Sequence, residues 1–170
     1  MGVGAIIMAV FAALWWILGT RAAHQGSLPM YATAVVISSV IIGIGLRLAG
    51  REPGAREERK HRGRVVGIAS GAEVLAIVVA VNVLANIGRS DLAAPVIALI
   101  VGLHFFPLAR WLPAPLYYAS GAAFVIIGTA GIAVPDVNVR LFAVCVAAAC
   151  VLWLTCGIVL WRGFRRIAAQ

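Results

Sequence analysis

The chain has 170 residues, 63% of them apolar and only 12% charged, with a mean hydropathy of +1.03. A soluble domain carries about 25% charged residues, so a water-soluble globule is excluded, because too little polar surface is present to cover one. The net charge of +8 would suggest nucleic acid in a soluble protein, but here the charges lie between apolar runs and follow a topological pattern, so no nucleic-acid partner is expected.

Six apolar runs have the length of a membrane span, about 20 residues per helix. They are Val3–Gly19, Leu28–Ala49, Val65–Ile87, Leu92–Ala109, Leu116–Val134 and Leu141–Trp161. Each is expected to be an α-helix, since backbone groups facing lipid must be satisfied within their own segment. The fold class is therefore all-α: a polytopic membrane protein whose six transmembrane helices form one bundle and one domain over residues 1–170.

The first span could be mistaken for a signal peptide, since Ala22 and Ala23 follow an apolar run. No basic residue precedes that run, however, and Trp15 and Trp16 stand where an apolar signal region would end. The span is expected to be retained. The second span carries Ser39-x-x-x-Gly43, a small-residue pair that allows close helix approach, and ends near Arg47. Arg47 is expected to snorkel to the headgroups, with a partnership to Glu73 as the alternative.

The only sizeable polar segment follows, a basic loop over residues 50–64 with REPGAREERKHRGR from Arg51 to Arg64. Pro53-Gly54 breaks the second span, and Glu58 and Arg62, four apart, suit a short surface helix. The residues Arg51, Arg56, Arg59, Lys60, Arg62 and Arg64 have two readings. The plainer one is a solvated topology determinant. The functional one is a contact with anionic lipid headgroups, at about 1 kcal/mol per basic residue near the surface.

Span three contains Glu73, the only acid within a span. A charge at bilayer depth costs about 2.5–3.5 kcal/mol on insertion scales, so such an acid is neutral, paired or water-facing. Counted from Val65 it lies ~12 Å deep. In span four, His104 precedes Arg110 by six residues and lies ~9 Å from the same surface. The two side chains share a depth on consecutive antiparallel helices, which makes a Glu73–His104 contact the sharpest site expectation. As a functional site the pair would relay protons or couple their release to solute movement. As structure it would be an interhelical hydrogen bond worth about 0.6 kcal/mol.

Gly67-x-x-x-Gly71, with Ser70, is a second small face, fit for packing within the chain or between two copies in a homo-oligomer. Asn82 and Asn86 lie in the outer half of the span. Nine residues from Glu73 to Asn82 is about half a revolution, so the asparagines face other neighbours. They either hydrogen-bond to an adjacent span or line an outer polar site with Thr20 and His24. Pro107, three residues after His104, removes the hydrogen bond to the Leu103 carbonyl. It either kinks span four beside the imidazole or marks the span's fraying end.

The cysteines, Cys145, Cys150 and Cys156, all lie in the last span and are expected to be small apolar fillers. No metal site, cofactor or catalytic constellation is expected. Trp15, Trp16 and Tyr31 mark an outer interfacial belt, and Trp111, Tyr117, Tyr118, Trp161 and Phe164 an inner one. Trp153 sits mid-span, where its indole N–H needs a partner.

Basic residues orient the chain. Arg47, Arg51, Arg56, Arg59, Lys60, Arg62, Arg64, Arg110, Arg162, Arg165 and Arg166 fall on one side, against Arg21, Arg89 and Arg140 on the other. The positive-inside rule then places both termini in the cytoplasm. Thirteen arginines to one lysine, with much Ala and Val, reflect GC-rich coding and point to a bacterial cytoplasmic membrane.

The halves of the chain resemble one another. Leu14-Trp15-Trp16-Ile17-Leu18-Gly19-Thr20-Arg21 parallels Leu103-His104-Phe105-Phe106-Pro107-Leu108-Ala109-Arg110, and Pro29-Met30-Tyr31 parallels Pro115-Leu116-Tyr117. Ile41-Ile42-Gly43 likewise parallels Ile126-Ile127-Gly128. Three spans separate the copies, which would make a 3+3 inverted repeat, a transporter architecture. Spans three and six show no such correspondence in sequence.

Gly102-Leu103-His104-Phe105-Phe106-Pro107-Leu108-Ala109 also resembles a segment recurring in small multi-span bacterial membrane proteins, a resemblance that covers one span and implies no activity. A serine intramembrane protease would need Gly-x-Ser-Gly, which neither Ser70-Gly71 nor Ser120-Gly121 completes. His-Glu-x-x-His and phosphate-cradling loops are missing as well. The leading expectation is transport of a small solute or ion coupled to protons. The alternative is an accessory or lipid-interacting protein, and a membrane enzyme comes third.

Overall fold

The computed structural model describes residues 2–22, 26–49, 56–112 and 114–168, and among them every regular element is helical. The helices are α1 (Gly2–Ala22), α2 (Leu28–Ala49), α3 (Arg56–Asn86), α4 (Ala93–Trp111), α5 (Leu116–Ala133) and α6 (Val137–Ala168). One turn of 3₁₀ helix, Ser90–Leu92, leads into α4. Each of the six is long and apolar enough to cross a membrane. The chain is thus built as an all-helical, multi-pass membrane protein.

The second helix has the expected bounds, and α4 and α5 start or end within two residues of theirs. Two helices run well beyond their apolar cores. At 31 residues, α3 is about 46 Å long, against about 30 Å of hydrocarbon. It begins at Arg56, so the expected loop over residues 50–64 gives way to helix for its last nine residues. Arg, Glu and Lys are good helix formers, and nothing in Arg56–Arg64 stops a helix once it has begun. At its other end the chain turns sharply at Gly88, whose positive φ of 70° suits glycine.

The helices group into two compact units, Met1–Pro53 with Cys145–Gln170, and Gly54–Val144. The first contains the α1–α2 hairpin and most of α6. Its core face on α1 reads Ala5, Ala9 and Ala12, small residues that let helices approach, and continues through the buried Trp15 to Thr20. Facing residues on α6 are Cys145, Ala148, Ala149, Leu152 and Cys156. Cys145 and Cys156 are buried fillers as expected, while Cys150 is exposed.

Polar atoms in this core are used up within it. The Trp153 indole N–H donates to Ser38 Oγ at 3.1 Å, and Ser38 donates to the Ala9 carbonyl at 3.0 Å. The Trp16 indole donates to the Met30 carbonyl at 3.0 Å, and its ring lies 5.3 Å from that of Trp153. Trp15 is buried and Trp16 half-buried, so both spend much of their surface on helix packing. The expected small face on α2 also shifts. Ser39 and Gly43 are exposed, and the buried face is Ala34, Ser38, Ile41 and Gly45.

The second unit contains α3, the 3₁₀ turn, α4, α5 and the first turns of α6. Helices α4 and α5 meet backbone to backbone. A Cβ on Gly102 would lie 2.9 Å from the Gly121 carbonyl oxygen, one on Gly121 2.8 Å from that of Gly102, and one on Gly128 2.7 Å from that of Pro95. Phe124 fills the space between these approaches and is fully buried. Gly67 and Gly71 on α3, by contrast, have open space where a side chain would be.

Candidate functional site

The second unit holds the carboxylates of Asp91 and Glu73 in different ways. Asp91, in the 3₁₀ turn, receives Arg140 Nη1 at 2.5 Å. Arg140 is 5% exposed, and its other nitrogens are engaged too. Nε donates to the Val134 carbonyl at 2.9 Å and Nη2 to the same oxygen at 2.6 Å. That oxygen is available because α5 ends at Ala133 and α6 starts only at Val137. Arg89 adds a contact to Asp91 at 3.3 Å.

Glu73 sits on the one face of α3 that is covered, in the series Ala69, Glu73, Ile77, Ala80 and Leu84, spaced by three or four residues. It comes ten residues after Gly63 in the span Gly63–Asn86, near the middle. His104 projects from α4, one position before the buried Phe105 that packs toward α5. Its Nε2 lies 3.6 Å from Glu73 Oε2, with the two side chains 10% and 18% exposed. That separation suits an ion pair but exceeds a good hydrogen bond, which is 2.7–3.2 Å. The Ala69 backbone, one turn before Glu73, is another hydrogen-bonding neighbour of the imidazole.

Behind the imidazole stands an aromatic cluster. Phe105 meets His104 edge-on at 6.1 Å, Tyr117 at 5.6 Å and Phe124 at 5.9 Å. Pro107 lies inside α4, which continues to Trp111, so the proline does not mark the helix end. The Leu103 carbonyl one turn earlier lacks its usual amide donor for that reason.

The remaining expected residues lie elsewhere. Asn82 and Asn86 are both exposed, away from the Glu73 face. Asn82 donates to the Val78 carbonyl of its own helix at 2.8 Å, not to a neighbouring span. Thr20 is buried and donates to the Trp16 carbonyl at 2.9 Å, so it lines no vestibule, and His24 lies outside the described residues. Lys60, Arg64 and Arg47 are exposed. Arg51 lies outside the described residues, as do the side chains of Arg56, Arg59 and Arg62. Among the described residues no group of three or more His, Cys, Asp or Glu could hold a metal ion.

Arg140 was the polar residue that sequence reasoning passed over. Its position four residues into α6, after Pro135-Asp136, was the available signal. Comparison with family models, with curated proteins and with solved structures gave no match. The reading of the site therefore rests on its own geometry.

Proposed function

We propose that the protein moves protons across a bacterial cytoplasmic membrane in exchange for, or together with, a small solute. Glu73 is the titrating group and His104 its partner. The observation that carries this reading is the 3.6 Å separation of Glu73 and His104 near the middle of a span. An acid at that depth is costly to keep, and a histidine is the one side chain whose charge changes readily near neutral pH. The polar contacts in the first unit are of another kind, since Ser38 and Trp153 cannot titrate and merely hold helices together.

The make-up of the two units supports the transport reading. Each joins a hairpin from one half of the chain to the third helix of the other, α6 with α1–α2 and α3 with α4–α5. An inverted duplication whose third helices have been exchanged would have this composition. Trp16 and Phe105 match in the sequence alignment of the halves, and each pins its hairpin at the start of the next helix, Trp16 on Met30 and Phe105 on Tyr117. Each also stands by the third helix: Trp16 against Trp153, and Phe105 beside the His104–Glu73 pair. One unit has an aromatic pair where the other has a titratable one.

The test is proton flux into proteoliposomes under an imposed pH gradient, with small solutes present on both sides. Wild-type protein should carry protons, and Glu73→Gln and His104→Ala should not at matched reconstitution. Flux unchanged in both variants would leave the pair a purely structural contact.

A further inference from the structure

Two titratable groups 3.6 Å apart have three charge states. With one proton between them the Glu73–His104 pair is neutral overall, whether the proton sits on the carboxyl or the imidazole. With none it carries one negative charge, and with two, one positive charge. Near the middle of a span the neutral state is favoured over both charged ones.

What the chain can offer in place of the proton is limited. Asp91 is neutralised by Arg140, a guanidinium that does not give up its proton. Among the described residues of its own unit, Glu73 has no guanidinium partner of this kind. On α3 the nearest described basic side chain is Arg64, exposed and nine residues away, and on α4 it is Arg110, exposed and six residues beyond His104. In the 3₁₀ turn, Asp91 is taken by Arg140 and Arg89. On α5, Tyr117 packs against Phe105 and Tyr118 against Phe106. Once the proton leaves, a negative charge remains at depth that these groups do not neutralise.

We infer that Glu73 and His104 form an exchange site at which one monovalent cation takes the place of one proton, so that the solute moved is itself a monovalent cation. The inference rests on the proton-handling reading above and narrows it. On one side of the membrane the pair releases its proton to water, and the cation is held by the Glu73 carboxylate beside a neutral imidazole. On the other side the cation leaves and a proton returns. No covalent bond changes, and no net charge crosses in a full cycle.

A divalent ion does not fit, since with one carboxylate to balance it the site would be left with a positive charge at depth. A single carboxylate beside a neutral imidazole sets charge and not identity, so the cation is of the monovalent class as a whole, alkali metal or organic ammonium. Ala72 and Ala76, which flank Glu73 on α3, are small and exposed, so the site is walled thinly on that side.

Acid-loaded proteoliposomes with a luminal pH probe test this. Sodium, potassium or tetramethylammonium chloride added outside should discharge the gradient in wild type, at a rate independent of membrane potential. Glu73→Gln should fall to the rate of empty vesicles. Proton movement that needs no added cation and follows an imposed potential would overturn the exchange while leaving proton transport in place. No proton movement under either condition would overturn both. Carbodiimide modification of Glu73 in detergent, read by mass spectrometry, is independent of reconstitution. It needs the protonated carboxyl, so the cation that discharges the gradient should slow it at least several-fold. Modification unaffected by any of the three cations would overturn the exchange.

Discussion

Arg140 Nη1 donates to Asp91 Oδ2 at 2.5 Å, tying the first turn of α6 to the turn that leads into α4, 49 residues earlier in the chain. The same guanidinium takes the Val134 carbonyl with two further nitrogens. This network consists of a guanidinium that keeps its proton, the carboxylate it neutralises, and a backbone oxygen freed by a helix end. Such a network fixes geometry and offers no exchangeable proton. The Glu73–His104 pair in the same unit is the converse, with a longer separation, a titratable partner and incomplete burial.

Replacing Arg140 should therefore be expensive in stability. Hydrogen bonds to charged groups contribute about 1.5–3 kcal/mol each, and several act together here. Arg140→Met is expected to destabilise the protein by about 2–3 kcal/mol. Arg140→Lys should fall between, because an ammonium cannot span Asp91 and the Val134 carbonyl as a planar fork does. Thermal unfolding in detergent would report both, and a wild-type midpoint for Arg140→Met would remove the network from the fold's support.

Glycines on different helices should respond with opposite signs. Gly102→Ala and Gly121→Ala each push a methyl to within 3 Å of a facing carbonyl oxygen, and overpacking of this kind costs about 1–3 kcal/mol. Gly67→Ala and Gly71→Ala meet open space and should gain about 0.5–1 kcal/mol from the lower backbone entropy of alanine. Unfolding midpoints of the four variants should split into two groups. Loss of stability at Gly71 would instead show that its face is covered by something outside one chain.

Much of the fold was legible because a membrane imposes length and hydropathy on each span. The nearness of Glu73 and His104 was legible for a similar reason: depth can be counted along a helix, so the two could be matched before any packing was known. Packing could not be counted. Trp15 and Trp16 stand near the end of an apolar run, which suggests an interface, yet their burial depends on which helix closes the α1–α2 hairpin. That helix is α6, more than 100 residues away. Arg140 was read as a rim charge because a count of charges by side ignores carbonyls, and its partners exist only because the backbone at Val134 leaves one helix before the next begins. Hydropathy also finds only the apolar part of a helix, so the charged start of α3 was read as loop.

The relay in the first unit predicts a modest but measurable effect. Ser38 accepts from Trp153 and donates to Ala9, so Ser38→Ala removes both contacts at once. Interhelical hydrogen bonds in membranes average about 0.6 kcal/mol, giving an expected loss of about 1 kcal/mol. Trp153 fluorescence should shift at the same time, because its indole N–H loses its acceptor. In a Trp153→Phe background, Ser38→Ala should cost less than it does alone, and full additivity would mean the two side chains are not coupled.

The titratable pair makes the opposite prediction from Arg140. At 3.6 Å it lacks a good hydrogen bond, while both groups still bear the cost of leaving water. Replacing a buried polar pair by apolar residues of similar size is often neutral or stabilising. The double variant Glu73→Leu/His104→Leu is thus expected to raise stability by about 1 kcal/mol and to abolish proton flux. Residues kept at a cost to the fold are held there by function. Unfolding midpoint and flux, measured on one preparation, decide the matter: a destabilised double variant would mean that the pair holds α3 to α4, and that its place in the span is explained by packing.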